Sequence, residues 1–187
     1  MAHNGLILGR SQYGKSSLAK GLCRSFRQAG RRTLVFDPLL DDWDAGYITD
    51  DRDEFLELFW GSFDLVVFVE EAGETANKRE HEMVFTATRG RHQVGEEAHG
   101  HSVYYSCHRL NQLDVTLRGQ CPELYLFACG YGDARDLAED YGNREALKLA
   151  PSFLPGEFLH ILPGLPAELY SVDFQTQKVT RNFRIRL

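Results

Sequence analysis

Residues 9–17 read GRSQYGKSS and follow directly on the apolar run GLIL at 5–8. The spacing is G-x-x-x-x-G-K-[ST], with Gly9, Gly14, Lys15 and Ser16 in the fixed places. GLIL predicts a buried strand, and SSLAKGLCRSFRQAG (16–30) predicts a helix of about four turns stopped at Gly30. A glycine-containing loop between a strand and a helix start is an anion cradle. Backbone N–H groups turn inward around phosphate oxygens, and the helix N-terminus adds partial positive charge. Gly9, Arg10, Ser11, Gln12, Tyr13, Gly14, Lys15, Ser16 and Ser17 are therefore the candidate nucleotide-binding residues. Lys15 is placed to neutralise the β and γ phosphates, and the Ser16 hydroxyl to ligate Mg²⁺.

The chain has 187 residues, 43% of them hydrophobic, which predicts one domain with one core, residues 5–150 forming its body and 156–187 a β extension. No apolar run approaches the ~20 residues of a membrane span, and no signal-peptide pattern opens the sequence, so a cytoplasmic location is expected. Cys23, Cys107, Cys121 and Cys129 are widely spaced without a C-x-x-C pair, which predicts buried reduced thiols. His99 and His101 flank a glycine and are the remaining candidate metal ligands, though no accompanying pattern of acids or cysteines has metal spacing.

Net charge is −6, but its distribution is uneven. Residues 37–57 hold nine acids and a single arginine, whereas Lys20, Arg24, Arg27 and Arg31 recur at helical spacing on one face of the first helix. The C-terminal KVTRNFRIRL is basic again. Such stripes serve as solvated faces, subunit contacts or DNA contacts.

RRTLVFDP (31–38) predicts a second strand, followed by an aspartate-rich loop and a short helix over DEFLELFWGSF (53–63). DLVVFVEEAGE (64–74) predicts a strand buried on both faces that delivers Glu70 and Glu71 at its C-terminal edge, where open α/β sheets bind ligands. Glu70 would then support the Mg²⁺ ion, and Glu71 would orient and deprotonate an attacking water. A helix is expected over 74–92, a loop over 93–101, and strands over SVYYSCHR (102–109) and LYLFAC (124–129). Tyr104 and Tyr105 read as core or sheet-face residues rather than base-stacking platforms. DARDLAEDYG and REALKLA predict helices; EFLHIL, ELYSVDF and KVTRNFRI predict short strands, the last two a hairpin. The alternation predicts an α/β fold, a mostly parallel sheet with helices on both faces.

The order GRSQYGKSS, a strand ending in Glu-Glu, RGRH (89–92), then SCHRLNQLDVTLRGQCPELYLF (106–127) resembles the FtsK–HerA group of motor ATPases. Within it, the likeness is to the compact genome-packaging ATPases of tailless, membrane-containing icosahedral viruses, and it spans about residues 5–130. The resemblance implies a RecA-like P-loop NTPase core that hydrolyses ATP with Mg²⁺ and drives double-stranded DNA, packaging it into a preformed capsid. It also implies a homo-oligomeric ring, a hexamer, meeting capsid vertex or portal proteins in the host cytoplasm or at the virion vertex. His108 stands where the group carries a glutamine that senses the γ-phosphate, with Gln112 and Gln120 as substitutes. Arg91 is the first choice for an arginine finger supplied to a neighbouring subunit, followed by Arg89 and Arg118. The pore-facing segments implied are Arg89–His101 and the surroundings of Arg109.

Rival readings are a cellular or plasmid translocase of the same group, a GTPase switch, a small-molecule kinase and a non-hydrolysing nucleotide-binding scaffold. EEAGE and NKRE (77–80) match the guanine-nucleotide motifs only in part: glutamate replaces the expected aspartate in each, and the two lie within a few residues of one another. No arginine-rich kinase lid is evident. Lys15, Ser16 and Glu71 are all present, which argues against a scaffold.

Overall fold

The computed structural model describes residues 2–77, 80–96 and 99–184, with no account of the side chains at 145, 146, 183 and 184. Lys78 and Arg79 of the expected third helix, Glu97 and Ala98 of the following loop, and residues 185–187 of the basic tail lie outside the described residues.

Nine strands form one sheet in the order β3-β2-β4-β5-β1-β6-β7-β8-β9. The first six in that order are parallel: β3 (Tyr47–Thr49), β2 (Thr33–Phe36), β4 (Val66–Val69), β5 (Ser102–Cys107), β1 (Gly5–Leu8) and β6 (Glu123–Leu126). β7 (Glu157–Ile161), β8 (Glu168–Val172) and β9 (Val179–Arg184) continue the same sheet as an antiparallel meander. The expected hairpin is β8–β9, and β7 docks it onto β6. β1 is central because all four of its residues are buried, as a strand covered on both faces requires.

Alternation along the strands divides the core between the two faces. Leu6, Leu8, Val67, Val69, Tyr105 and Cys107 point to one face. There they meet Phe55, Leu56 and Phe59 of α2 (Arg52–Trp60), Met83, Val84 and Ala87 of α4 (His81–Arg89), and Leu137 of α6 (Tyr131–Tyr141). Ile7, Val66, Phe68 and Tyr104 point to the other, against Leu18, Ala19 and Cys23 of α1 (Lys15–Gln28). Tyr104 stacks on Phe68 with centroids 5.1 Å apart, and Tyr105 bonds Thr86 at 2.7 Å, so both tyrosines are core residues. All four cysteines are buried and free. No helix among the described residues is long and apolar enough to cross a membrane.

Several elements differ from the sequence expectation. The aspartate-rich loop contains β3, an edge strand of three residues with a single buried side chain, too short to give an alternating signal. The expected 74–92 helix is broken into α3 (Ala72–Thr75) and α4, and a 3-10 turn follows over Gly90–His92. α5 (Val115–Gly119) and α7 (Arg144–Leu149) are the other α-helices among the described residues. His101 is not placed to bind metal: its Nδ1 accepts from Leu65 N at 3.0 Å and its Nε2 donates to Phe59 O at 2.9 Å. Among the described residues no group of three or more His, Cys, Asp or Glu side chains is arranged to hold a metal ion.

The basic stripe of α1 is taken up within the chain. Lys20 pairs with Asp41 at 3.0 Å, Arg27 pairs with Asp44, Arg24 donates to Gln177 Oε1 at 2.8 Å, and Arg31 donates to Asp64 O at 3.1 Å. The acid-rich segment 37–57 thus supplies the counter-charges for the helix beside it. Exposed pairs of this kind stabilise little individually.

At the N-terminal end of β6, Glu123 is buried and accepts from His160 Nε2 and Tyr125 OH, each at 2.7 Å, with His3 Nε2 3.0 Å away. Burial alone would raise its pKa; the hydrogen bonds from His160, His3 and Tyr125 outweigh it and hold the carboxyl at about 2, against an ordinary 4.5. A depressed carboxylate pKa contributes stability that is complete above pH 4.5 and disappears as pH falls towards 2. The expected contribution at neutral pH is on the order of 3 kcal/mol. Urea unfolding should show Glu123→Gln less stable than the wild type at pH 6, with the gap closing at pH 3 and below.

Candidate functional site

Six parallel strands bring their C-terminal ends to one edge, and the site is built there. Gly9 N donates to Cys107 O at 3.3 Å and Arg10 N to Ala128 O at 2.8 Å, so the loop after β1 is pinned to the ends of both neighbouring strands. Gly14, at φ 105°, caps α1 in a left-handed conformation that glycine adopts freely. The first turn of α1 contains no acidic residue, so the partial positive charge of the helix end is uncompensated.

Lys15 is the first residue of α1 and only 6% exposed. Its ammonium donates to Arg10 O at 3.1 Å and to His108 Nδ1 at 3.0 Å. Burial pulls its pKa down, while the charges of Glu70 and Glu71 act in the opposite direction. His108 Nε2 in turn lies 3.1 Å from Glu71 Oε1. An ammonium has no lone pair, so Nδ1 must accept, and the imidazole proton sits on Nε2 and is donated to Glu71. The result is a directed chain, Lys15 to His108 to Glu71. Strand order explains it: β5 lies between β1 and β4, so the residue following β5 falls between those following β1 and β4.

Glu70 N still bonds Phe36 O at 2.9 Å, continuing the ladder one residue past β4, and its side chain is buried. Glu71 then turns to φ 49°, a left-handed conformation uncommon for a residue with a side chain and a recurrent feature of functional sites. Burial pushes the Glu70 carboxyl up to about 7, with Asp37 repelling its charge and Lys15 favouring it. The Ser106 hydroxyl eases that rise, yet neither it nor Glu70 Oε1 has a partner in hydrogen-bond geometry. Glu70 Oε1 and Ser106 Oγ, two buried oxygens left open, form an all-oxygen set suited to a hard divalent cation. Their chemistry fits Mg²⁺, the ion for which Ser16 and Glu70 are the expected ligands.

Sequence reasoning did not find Ser106 or Asp37. Ser106 lies two residues before His108, on the same face of an extended chain, and that alternation was the available signal. Asp37 directly follows β2 and is spent on its own loop, accepting from Trp43 Nε1 at 2.9 Å and Leu39 N at 3.0 Å. Gln112 closes the turn after β5, its Oε1 accepting from Arg109 N at 3.1 Å. A cleft of about 350 Å³ opens beside the loop between Arg10, His108, Arg109 and Asp133.

Arg91 is not brought to this edge. It is exposed in the 3-10 turn before β5, anchored by the bond from His101 N to Gly90 O at 3.0 Å, so the whole six-residue strand separates it from His108. At about 3.3 Å per residue that is close to 20 Å, beyond the reach of an arginine within one chain. Arg89 packs over the Phe85 ring, and Arg118 lies 3.9 Å from Asp140. Arg89–His92 and Arg109 accordingly lie at opposite ends of β5.

No protein-family model matches the chain, and no curated protein sequence matches it. Solved structures do. The genome-packaging NTPase B204 of Sulfolobus turreted icosahedral virus 2, solved with AMP, superposes with a TM-score of 0.66 over 96% of both chains at 16% identity. The pCW3 conjugation coupling protein TcpA, solved with ATPγS, gives 0.64 over 98% of this chain and 60% of that one at 13% identity. The type VII secretion ATPase EccC of Thermomonospora curvata gives 0.64 over 90% of this chain and 25% of that one at 14% identity.

The fold is therefore the RecA-like P-loop NTPase fold. It is the fold shared with the B204 packaging NTPase, TcpA and EccC, and at these identities the likeness is one of fold.

Proposed function

We propose that the protein is an ATP-driven translocase of double-stranded DNA that packages a viral genome into a preformed capsid. The observation that carries the reading is the Lys15–His108–Glu71 chain across the phosphate-loop edge, with Glu70 buried beside it. Support for packaging comes from the likeness to B204 over 96% of both chains.

In this reading ATP enters with its phosphates in the 9–17 loop, and the terminal phosphoryl group takes the Lys15 ammonium from His108. Mg²⁺, held by Ser16 and Glu70, would neutralise charge on the phosphate oxygens. Glu71 then orients a water and accepts its proton as the oxygen attacks the terminal phosphorus. The bond from that phosphorus to the bridging oxygen breaks, giving ADP and inorganic phosphate. His108, relieved of Lys15, keeps its Nε2–H on Glu71 and holds that carboxylate in place. The burial that lowers the Lys15 pKa has already stripped its ammonium of water, so the phosphate meets a cation with little solvent left to shed.

The placement of Arg91 far from its own phosphate loop suits a residue offered to a neighbour's site in a ring. A cation reaching the transferring phosphoryl group from a second subunit accelerates hydrolysis by roughly 10³- to 10⁵-fold in proteins that use one. ATP turnover should therefore rise when double-stranded DNA assembles or aligns the subunits, and Arg91→Ala should remove that rise while leaving ATP affinity unchanged. A rate indifferent both to DNA and to Arg91→Ala would overturn the translocase reading.

A further inference from the structure

β8 ends at Val172, and the turn to β9 is closed by Asp173 N to Lys178 O at 3.0 Å and Gln177 N to Asp173 O at 2.8 Å. The Asp173 carboxylate accepts from Gln175 N at 3.1 Å, Thr176 N at 2.7 Å and Thr176 Oγ1 at 2.8 Å, which fixes the turn internally. It is also docked on α1. Arg24 donates to Gln177 Oε1 at 2.8 Å, and Gly21 leaves room for the Gln177 carbonyl, which a β-carbon there would meet at 2.7 Å. A second tie runs through the backbone, from Gly156 N to Tyr13 O and from Val172 N to Gly156 O, both 2.9 Å. The C-terminal meander is thus tied to α1 through Gln177 and to the phosphate loop through Tyr13.

The residue this arrangement places beside the loop is Phe174. A β-carbon on Gly14 would stand 2.6 Å from Phe174 Cε1, and one on Gly156 would stand 3.6 Å from the same atom. Both glycines have positive φ, 105° and 91°. The backbone is cleared of side chains where the ring rests on the residue preceding Lys15. Nevertheless the ring remains 46% exposed. Tyr131 is the other exposed aromatic near the site, but at 82% exposure it stands off α6 without such a seat.

We infer that Phe174 is the stacking platform for the base of the nucleotide whose phosphates occupy the 9–17 loop, an inference that rests on the nucleotide-binding reading above. A fixed, half-open aromatic ring next to a phosphate cradle offers a π-face to any nucleobase. Such stacking depends on area and not on hydrogen-bond pattern, so the subsite favours purines without choosing sharply between adenine and guanine.

The test is calorimetric titration with ATPγS, GTPγS and inorganic tripolyphosphate in Mg²⁺, on wild type, Phe174→Ala, Phe174→Trp and Tyr131→Ala. Phe174→Ala should weaken both nucleotides on the order of 10-fold and leave tripolyphosphate within about 2-fold, with Phe174→Trp close to wild type. Tyr131→Ala should behave as wild type. Equal weakening of all three ligands by Phe174→Ala, no weakening of any, or loss of nucleotide affinity through Tyr131 instead would each overturn the platform while the phosphate site stands. If the wild type binds none of the three, the nucleotide-binding reading itself fails.

Discussion

Glu71→Gln is expected to lower ATP turnover by about 10²- to 10⁴-fold, the usual range for removing a positioned general base. The amide keeps the shape and can still accept from His108 Nε2, now 3.1 Å from Glu71 Oε1. It cannot take the proton of the attacking water. Nucleotide affinity should stay within a few-fold of wild type, because Glu71 repels the phosphates rather than holding them. Comparing single-turnover rates with equilibrium affinity separates the two effects. A Glu71→Gln protein that hydrolyses at the normal rate would show that another group activates the water.

Lys15→Ala is expected to weaken ATP binding about 10²- to 10³-fold, since truncating one partner of a buried charge pair costs several kcal/mol. The loss should be specific to the triphosphate. The Lys15 ammonium is buried and bonded to one carbonyl and one imidazole, at 3.1 and 3.0 Å, so much of its hydration is already gone. Its removal spares folding that desolvation cost, and thermal unfolding should move by only a few degrees. Loss of fold together with loss of binding would mean that Lys15 serves the structure and not the ligand.

The phosphate loop was legible because the chemistry imposes both residue types and spacing, and GLIL before it could only be a short buried strand. Glu70 and Glu71 were legible for a related reason: an apolar run wholly buried at Val66–Val69 has to end where acids begin. The linkage of His108 to both Lys15 and Glu71 was not legible. It follows from β5 lying between β1 and β4, and sequence order does not report which strands are neighbours. The partners of the α1 stripe were hidden for a similar reason, Asp41 and Asp44 coming from the loop after β2. The edge strand β3 was hidden by length, and the role of β7 in joining the hairpin to β6 was hidden because antiparallel addition leaves no mark on either strand alone. Phe174 lies 160 residues after Gly14, and no local pattern connects them.

The most direct test of the account is a crystal structure with a non-hydrolysable ATP analogue and Mg²⁺. The terminal phosphate is expected within hydrogen-bond distance of the Lys15 ammonium, with Lys15 parted from His108, a metal ion between Ser16 and Glu70, and Glu71 facing the terminal phosphorus. An analogue bound elsewhere, with the Lys15–His108–Glu71 chain intact and the loop free of phosphate, would contradict it.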